Sequence, residues 1–251
     1  MSQPLLGFIF SAGKGTRLSP YTNEIPKPIL LKYQDRCFLE INIEKLLALG
    51  AKHIYVNYSY GYNYFKDIQS KFKNKVTLIH EPQLIGHGKT ILNLITEYNI
   101  PDKTYLYTIN GDTLIDFDRE DYLNTAKNKQ IDFSILTDNN IEVPKNLLVD
   151  HNNNVIGCKI NERDYFYKDT LKESLYKNGL GEYVINIENF NKICEEGLKQ
   201  NFLGLFGDND LIEIMLKNEK IVKCVDKKVN SHVSINTIEE YNNFNKKVND
   251  R

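Results

Sequence analysis

Two cations, Arg17 and Lys27, stand in a stretch whose other residues leave room for an anion. Arg17 closes the run Ser11-Ala12-Gly13-Lys14-Gly15-Thr16, and Lys27 lies between Pro26 and Pro28. Gly13 and Gly15 carry no Cβ, so backbone N–H groups in that turn can approach a charged oxygen. Lys14 adds a third cation. The flanking prolines restrict φ and thereby set the direction in which Lys27 leaves the chain. A turn of free amides, a planar guanidinium and a point-charge ammonium together suit a polyphosphate. An ordinary glycine turn between strand and helix would use the same two glycines. Two other phosphate motifs fit less well. A dinucleotide fingerprint needs glycine where Leu18 stands, and a P-loop needs Ser or Thr where Gly15 follows Lys14. Gly88-Lys89-Thr90 has Gln83 in place of that motif's leading glycine.

The run Asn110-Gly111-Asp112-Thr113 puts a carboxylate at the end of an apolar segment. Mg²⁺ takes only one or two protein carboxylates when it carries substrate phosphates, so Asp112 is a candidate ligand and Gly111 clears its approach. A surface-turn aspartate would read the same way. Asp116 and Asp118 belong to the loop opening the next helix. Gly86-His87-Gly88 starts a helical pattern, where two glycines let a flat ligand approach the backbone; a plain loop with a helix cap is the alternative. Gly181-Glu182 begins a glycine-flanked strand whose acid either accepts hydrogen bonds from a hydroxylated substrate or faces solvent. His151 sits in the polar run Asp150–Asn154 and reads as a solvated turn residue. Cys37, Cys158, Cys194 and Cys224 form no C-x-x-C pair and have no histidine nearby, which supports neither zinc nor a disulfide framework.

These residues need a scaffold that presents them together. Leu5 to Phe10 is apolar without alternation, as in a strand buried on both faces of a parallel sheet. Phe38 to Leu49 has helical periodicity and ends at Gly50, a C-cap. Strands are expected over 53–58, 75–80, 105–110 and 133–137, with helices over 62–72 and 84–98 between them. A hairpin follows over 146–160, turning at 150–154, then a strand beginning at Gly179. Helices over 189–199 and 208–217 and a strand over 221–225 complete the pattern. Strands alternating with helices indicate an α/β fold, a Rossmann-like and mostly parallel sheet flanked by helices. A smaller β-containing portion would bind the second substrate. Ligands of such sheets lie beyond the carboxyl ends of the strands, where the Gly13 turn and Asp112 both fall.

SAGKGTRL followed by PKP resembles the signature G-x-G-T-R … P-K-P of the sugar-phosphate nucleotidyltransferases that build NDP-sugars. The resemblance runs from Phe8 to Tyr241 and is strongest in the first 115 residues. It implies that Ser11, Ala12, Gly13, Lys14, Gly15 and Thr16 hold the triphosphate of an NTP, with Arg17 and Lys27 as the catalytic cations. The segment from Glu81 to Ile91 is similar to the family's E-x-x-x-L-G-T-[AG]-G-A, which assigns Gln83, Gly86, His87 and Gly88 to the nucleotide. His87 and Lys89 depart from that pattern. Asn110-Gly111-Asp112-Thr113 matches the family's metal motif, which implies Mg²⁺ at Asp112. Asn110, Gly181 and Glu182 fall where the family binds its sugar phosphate. Ser231 to Tyr241 looks like D-I-G-[TI]-P-E-[DE]-Y, but Ser234 replaces a second metal-binding aspartate, Asn236 a glycine and Ile238 a proline. Ser234 is thus at best a weak second ligand, which leaves the metal to Asp112, phosphate oxygens and water; Asp226, some eight residues away, is a less favoured substitute.

The implied reaction is attack of a phosphorylated sugar or polyol on the α-phosphorus of an NTP, releasing pyrophosphate. GTP with heptose or mannose 1-phosphate fits the motifs best, in the service of surface polysaccharide; a cytidylyltransferase for a phosphorylated alcohol shares much of the pattern. A nucleotide or sugar-phosphate sensor that has lost the second carboxylate is the reading from another class. The 251 residues, with net charge −1, suggest one domain over 1–251, its nucleotide half at 1–120 and its sugar-phosphate half at 121–251. The balanced charge disfavours nucleic acid as a partner. Absence of a long apolar span or basic leader points to a cytoplasmic protein without a membrane partner. A homodimer is compatible with all of this.

Overall fold

A computed structural model describes residues 3–141, 146–160, 163–166, 175–188, 190–199 and 205–249. In chain order, β1 (Leu5–Phe10) leads through a 3-10 turn at Thr16–Leu18 to the short α1 (Lys27–Leu30). The hairpin β2 (Lys32–Tyr33) and β3 (Arg36–Cys37) precedes α2 (Phe38–Ala48), β4 (Ile54–Tyr58), α3 (Tyr62–Lys71) and β5 (Val76–His80). Next come α4 (His87–Glu97), β6 (Tyr105–Asn110), β7 (Thr113–Asp116), α5 (Arg119–Ala126) and β8 (Phe133–Thr137). The strands β9 (Leu147–Val149), β10 (Val155–Ile160), β11 (Arg163–Phe166), β12 (Leu175–Lys177) and β13 (Glu182–Asn186) follow. The chain continues through α6 (Asn191–Lys199), α7 (Asp208–Lys217), β14 (Val222–Asp226), β15 (Ser231–Ser234) and α8 (Ile238–Asn249).

The main sheet has seven strands in the order β14-β8-β13-β6-β1-β4-β5. The pairs β1–β4, β4–β5 and β14–β8 are parallel, and β13–β8 is antiparallel. This is the mostly parallel, helix-flanked sheet the periodicity called for. The smaller β portion is an antiparallel sheet in the order β11-β10-β9-β12. Its turn at 150–154 is held by Asp150, whose Oδ1 accepts the N–H groups of Asn152 and Asn154 at 2.8 and 2.9 Å. His151 is exposed there, as expected.

Two compact units are distinguishable. One comprises Leu5–Leu84, Tyr107–Asp116 and Asn230–Arg251; the other comprises Met1–Pro4, Ile85–Leu106 and Phe117–Val229. In the first unit, β15 pairs antiparallel with β7 and puts Ser234 opposite Thr113. Leu18, Leu31, Phe38 and Ile235 form a buried cluster against which Leu114, Tyr241 and Phe244 pack. The aromatic face of α8 thereby packs beside the 3-10 turn that carries Arg17. In the second unit, α4, α6 and α7 pack together, and α7 also covers β14. All four cysteines are buried. Among the described residues no helix is long and apolar enough to cross a membrane.

Candidate active site

The glycine turn lies beyond the C-terminal end of β1. Asn57, buried in β4, accepts the Ser11 N–H at 2.6 Å and donates to Glu81 at 3.1 Å. Ser59 Oγ donates to the Ala12 carbonyl at 2.7 Å. Gly15 has φ +61 and ψ 28, a left-handed conformation costly for any residue with a Cβ. Its carbonyl accepts Thr22 Oγ1 and Leu18 N–H, each at 2.8 Å. Gly13 is different: a Cβ there would meet nothing within 4 Å. The fold requires glycine at 15, whereas at 13 it leaves open space. Lys14 and Thr16 are exposed beside it.

Lys27 starts α1 directly after Pro26, whose missing N–H costs a helix entrance nothing. Its side chain is 8% exposed, and Nζ donates to Asp112 Oδ2 at 2.6 Å and to Asn236 Oδ1 at 3.1 Å. Arg17 is exposed and donates through Nη2 to the same Asn236 oxygen at 3.3 Å. The two proposed catalytic cations, the proposed metal ligand and Asn236 are thus gathered within one unit. Ser234 Oγ accepts from Asn236 Nδ2 at 3.1 Å. Gly111 is dictated by its own neighbours, since a Cβ there would sit 2.4 Å from Ser11 Oγ. The glycine expected to clear a ligand's path thus also makes room for Phe10 and Ser11 at the end of β1. Asn110 is partly buried, and its Oδ1 lacks a hydrogen-bond partner. Gln83 is exposed.

Among the described residues no three of His, Cys, Asp and Glu gather into a metal cage. Asp112 is about a third exposed (36%); its Oδ2 takes the Lys27 ammonium and its Oδ1 accepts Thr113 Oγ1 at 3.3 Å, so a metal ion would share the carboxylate with Lys27. That donor set fits a magnesium whose remaining ligands are phosphate oxygens and water. Asp226 is engaged elsewhere, by Lys177 and by Thr137 Oγ1 at 2.6 Å.

In the other unit, Gly86 and Gly88 flank the first turn of α4. Gly86 has φ +92, and a Cβ there would lie 2.2 Å from the Phe206 carbonyl oxygen. At Gly88 a Cβ would lie 2.4 Å from the Gly207 carbonyl oxygen. Phe206 N–H donates to the Ile85 carbonyl at 3.0 Å, and Lys89 N–H to the Phe206 carbonyl at 3.2 Å. The close approach that both glycines permit is to this chain's own backbone. His87 Nδ1 lies 3.4 Å from Asp208 Oδ2, which also accepts the Tyr183 hydroxyl at 3.1 Å. Burial pushes the Tyr183 hydroxyl well above its ordinary pKa, and the Asp208 charge pushes the same way. Glu182, expected at a hydroxylated substrate, is 1% exposed and gripped at both oxygens by Arg119 at 2.6 and 3.2 Å. Gly181 precedes it with φ +83. A cavity of about 280 Å³ opens near Gly179, Tyr183, Ile135, Ile212, Asp208 and Asp210.

The family model described as nucleotidyl transferase matches residues 6–146, more than half of the chain. This chain belongs to the nucleotidyl transferase family. It is 33% identical over 156 residues to the bifunctional protein GlmU of Methanococcus aeolicus, covering 59% of this chain. It is 27% identical over 126 residues to mannose-1-phosphate guanyltransferase beta-B of Xenopus laevis, covering 47%. The match spans 34% of the length of each of these relatives. The CTP:phosphocholine cytidylyltransferase LicC of Streptococcus pneumoniae has the same fold, with TM-score 0.69 and 17% identity over 98% of this chain and 99% of that one. For this nucleotidyl transferase family member, sequence reasoning passed over Asn236 except as a departure from glycine. The signal available was the substitution itself. Asn57 gave no signal, because a buried asparagine in an apolar strand has no motif.

Proposed function

We propose that this chain joins an NTP to a phosphorylated sugar or polyol and releases pyrophosphate. The observation that carries the reading is the gathering of Arg17, Lys27 and Asp112 around Asn236, beside a glycine turn with open space at Gly13. The attacking phosphate is already an anion, so no general base is required. Negative charge building on the α-phosphoryl oxygens and the leaving pyrophosphate must be stabilised. Amides of Gly13 to Thr16 cradle the phosphates, Arg17 makes a planar two-point contact and Lys27 supplies a point charge. Asp112 would hold Mg²⁺, which adds positive charge to the phosphates when bound. Ser234 contributes a neutral hydroxyl at most. In the unit containing β13, the cavity beside Asp208 and Asp210 offers acceptors for sugar or polyol hydroxyls, a task Glu182 cannot share while Arg119 holds it.

GTP with a heptose or mannose 1-phosphate is the favoured pair, supported by the relative named as a mannose-1-phosphate guanyltransferase. The fold shared with a CTP:phosphocholine cytidylyltransferase supports a second reading, CTP with a phosphorylated alcohol. Four NTPs assayed against a panel of phosphorylated sugars and polyols, with pyrophosphate as the readout, separate the two. Nucleotide binding without pyrophosphate from any pair would overturn the enzymatic reading in favour of a sensor. Supply of activated units for surface polysaccharide, in the cytoplasm, is part of the same proposal.

A further inference from the structure

We propose that Asn236 is a positioning residue of this site, using one amide oxygen to hold Arg17 and Lys27 in the arrangement that receives a triphosphate. The proposal rests on the reading of Arg17 and Lys27 as phosphate ligands. Two like charges near one another repel, and the Asn236 Oδ1 that both address at 3.3 and 3.1 Å offsets that repulsion. Lys27 also has Asp112, so the amide oxygen matters most to the exposed Arg17. The amide is itself fixed. Its Nδ2 donates to Ser234 Oγ at 3.1 Å, and the Asn236 N–H donates to Glu240 Oε2 at 2.5 Å. Glu240 lies in the first turn of α8 and also accepts the Thr237 N–H at 3.1 Å, while Thr237 Oγ1 accepts the Glu240 N–H at 3.2 Å. The same helix is anchored by Tyr241 and Phe244 on the core of the unit. Glycine, which the family pattern has at this position, offers no such acceptor.

The test is a double-mutant cycle over Arg17→Ala and Asn236→Ala. Its first readout is inorganic tripolyphosphate binding by calorimetry, which needs neither base nor turnover; its second is kcat and nucleotide KM. Asn236→Ala should weaken tripolyphosphate about tenfold and lower kcat by a similar factor. In the Arg17→Ala background Asn236→Ala should cost clearly less than its tenfold in wild type, because the asparagine acts mainly through the arginine and only the Lys27 contact remains. Asn236→Asp keeps the acceptor and adds a negative charge; it should retain the coupling to Arg17 while binding tripolyphosphate more weakly than wild type. Multiplying effects in the cycle, or wild-type affinity in Asn236→Ala, would overturn the positioning role. Coupling as expected, with no pyrophosphate from any NTP and acceptor, would sustain that role and sink the proposed reaction. Failure of the wild type to bind tripolyphosphate would overturn both.

Discussion

At the scale of residues, the site depends on charge held close to where a triphosphate would lie. Arg17 and Lys27 differ in surroundings: one is exposed, the other is buried against Asp112. Replacing either by alanine should lower kcat by about 100-fold or more, the cost of removing one donor from a developing anion. Circular dichroism should show the fold intact in both. The two turn glycines separate fold from function. Gly15→Ala forces a Cβ into the left-handed region and within 3.1 Å of Thr22, so it should cost about 1–2 kcal/mol in urea unfolding. Gly13→Ala meets nothing within 4 Å and should leave stability within about 1 kcal/mol of wild type. It should nevertheless raise nucleotide KM at least about tenfold, because the methyl enters the space proposed for the phosphates. Wild-type kinetics in Gly13→Ala would place the triphosphate elsewhere.

At the scale of elements, the entrance to α4 and the start of β13 are held by interactions within their own unit. Gly86→Ala would drive a Cβ into the Phe206 backbone and should destabilise by about 2–4 kcal/mol, measured by urea unfolding. A normal unfolding curve with lost nucleotide binding would instead return Gly86 to a ligand-contact role. Arg119 opens α5 and lies over the Phe117 ring at 4.4 Å while gripping Glu182. Glu182→Ala takes the carboxylate away from a guanidinium with 10% of its side chain exposed and should cost about 3–5 kcal/mol. Pairing Glu182→Leu with Arg119→Met should recover most of the loss. If Glu182→Ala instead keeps its stability and loses acceptor affinity, the carboxylate serves the substrate after all.

At the scale of the whole molecule, burial of the thiols couples the fold to pH. Burial is the largest cause in each case and raises Cys37 and Cys224 to about 12 and Cys194 to about 11. A thiol whose folded pKa is raised stays protonated while the unfolded chain ionises near ~8.5. These groups therefore leave stability unchanged below that pH and remove it as pH climbs towards about 12. At pH 8 the native protein should resist alkylation, and denaturant should expose four reactive thiols, one for each buried cysteine. Rapid labelling of the native protein would contradict the burial.

Local patterns in the chain determined a good deal. The alternation of apolar segments fixed the parallel strands, because each strand's burial is written in its own consecutive residues. Gly15 and Pro26-Lys27-Pro28 act through backbone torsions over a few residues, so the turn and the helix start they build were legible too. What only the tertiary structure decided involves partners far apart in the chain. Asn236 reaches Arg17 and Lys27 across 219 and 209 residues. Glu182 is claimed by Arg119 across 63 residues, and Gly86 and Gly88 are required by the backbone at Phe206 and Gly207. No residue type announces such a partner. It emerges only when packing brings distant segments within hydrogen-bond reach.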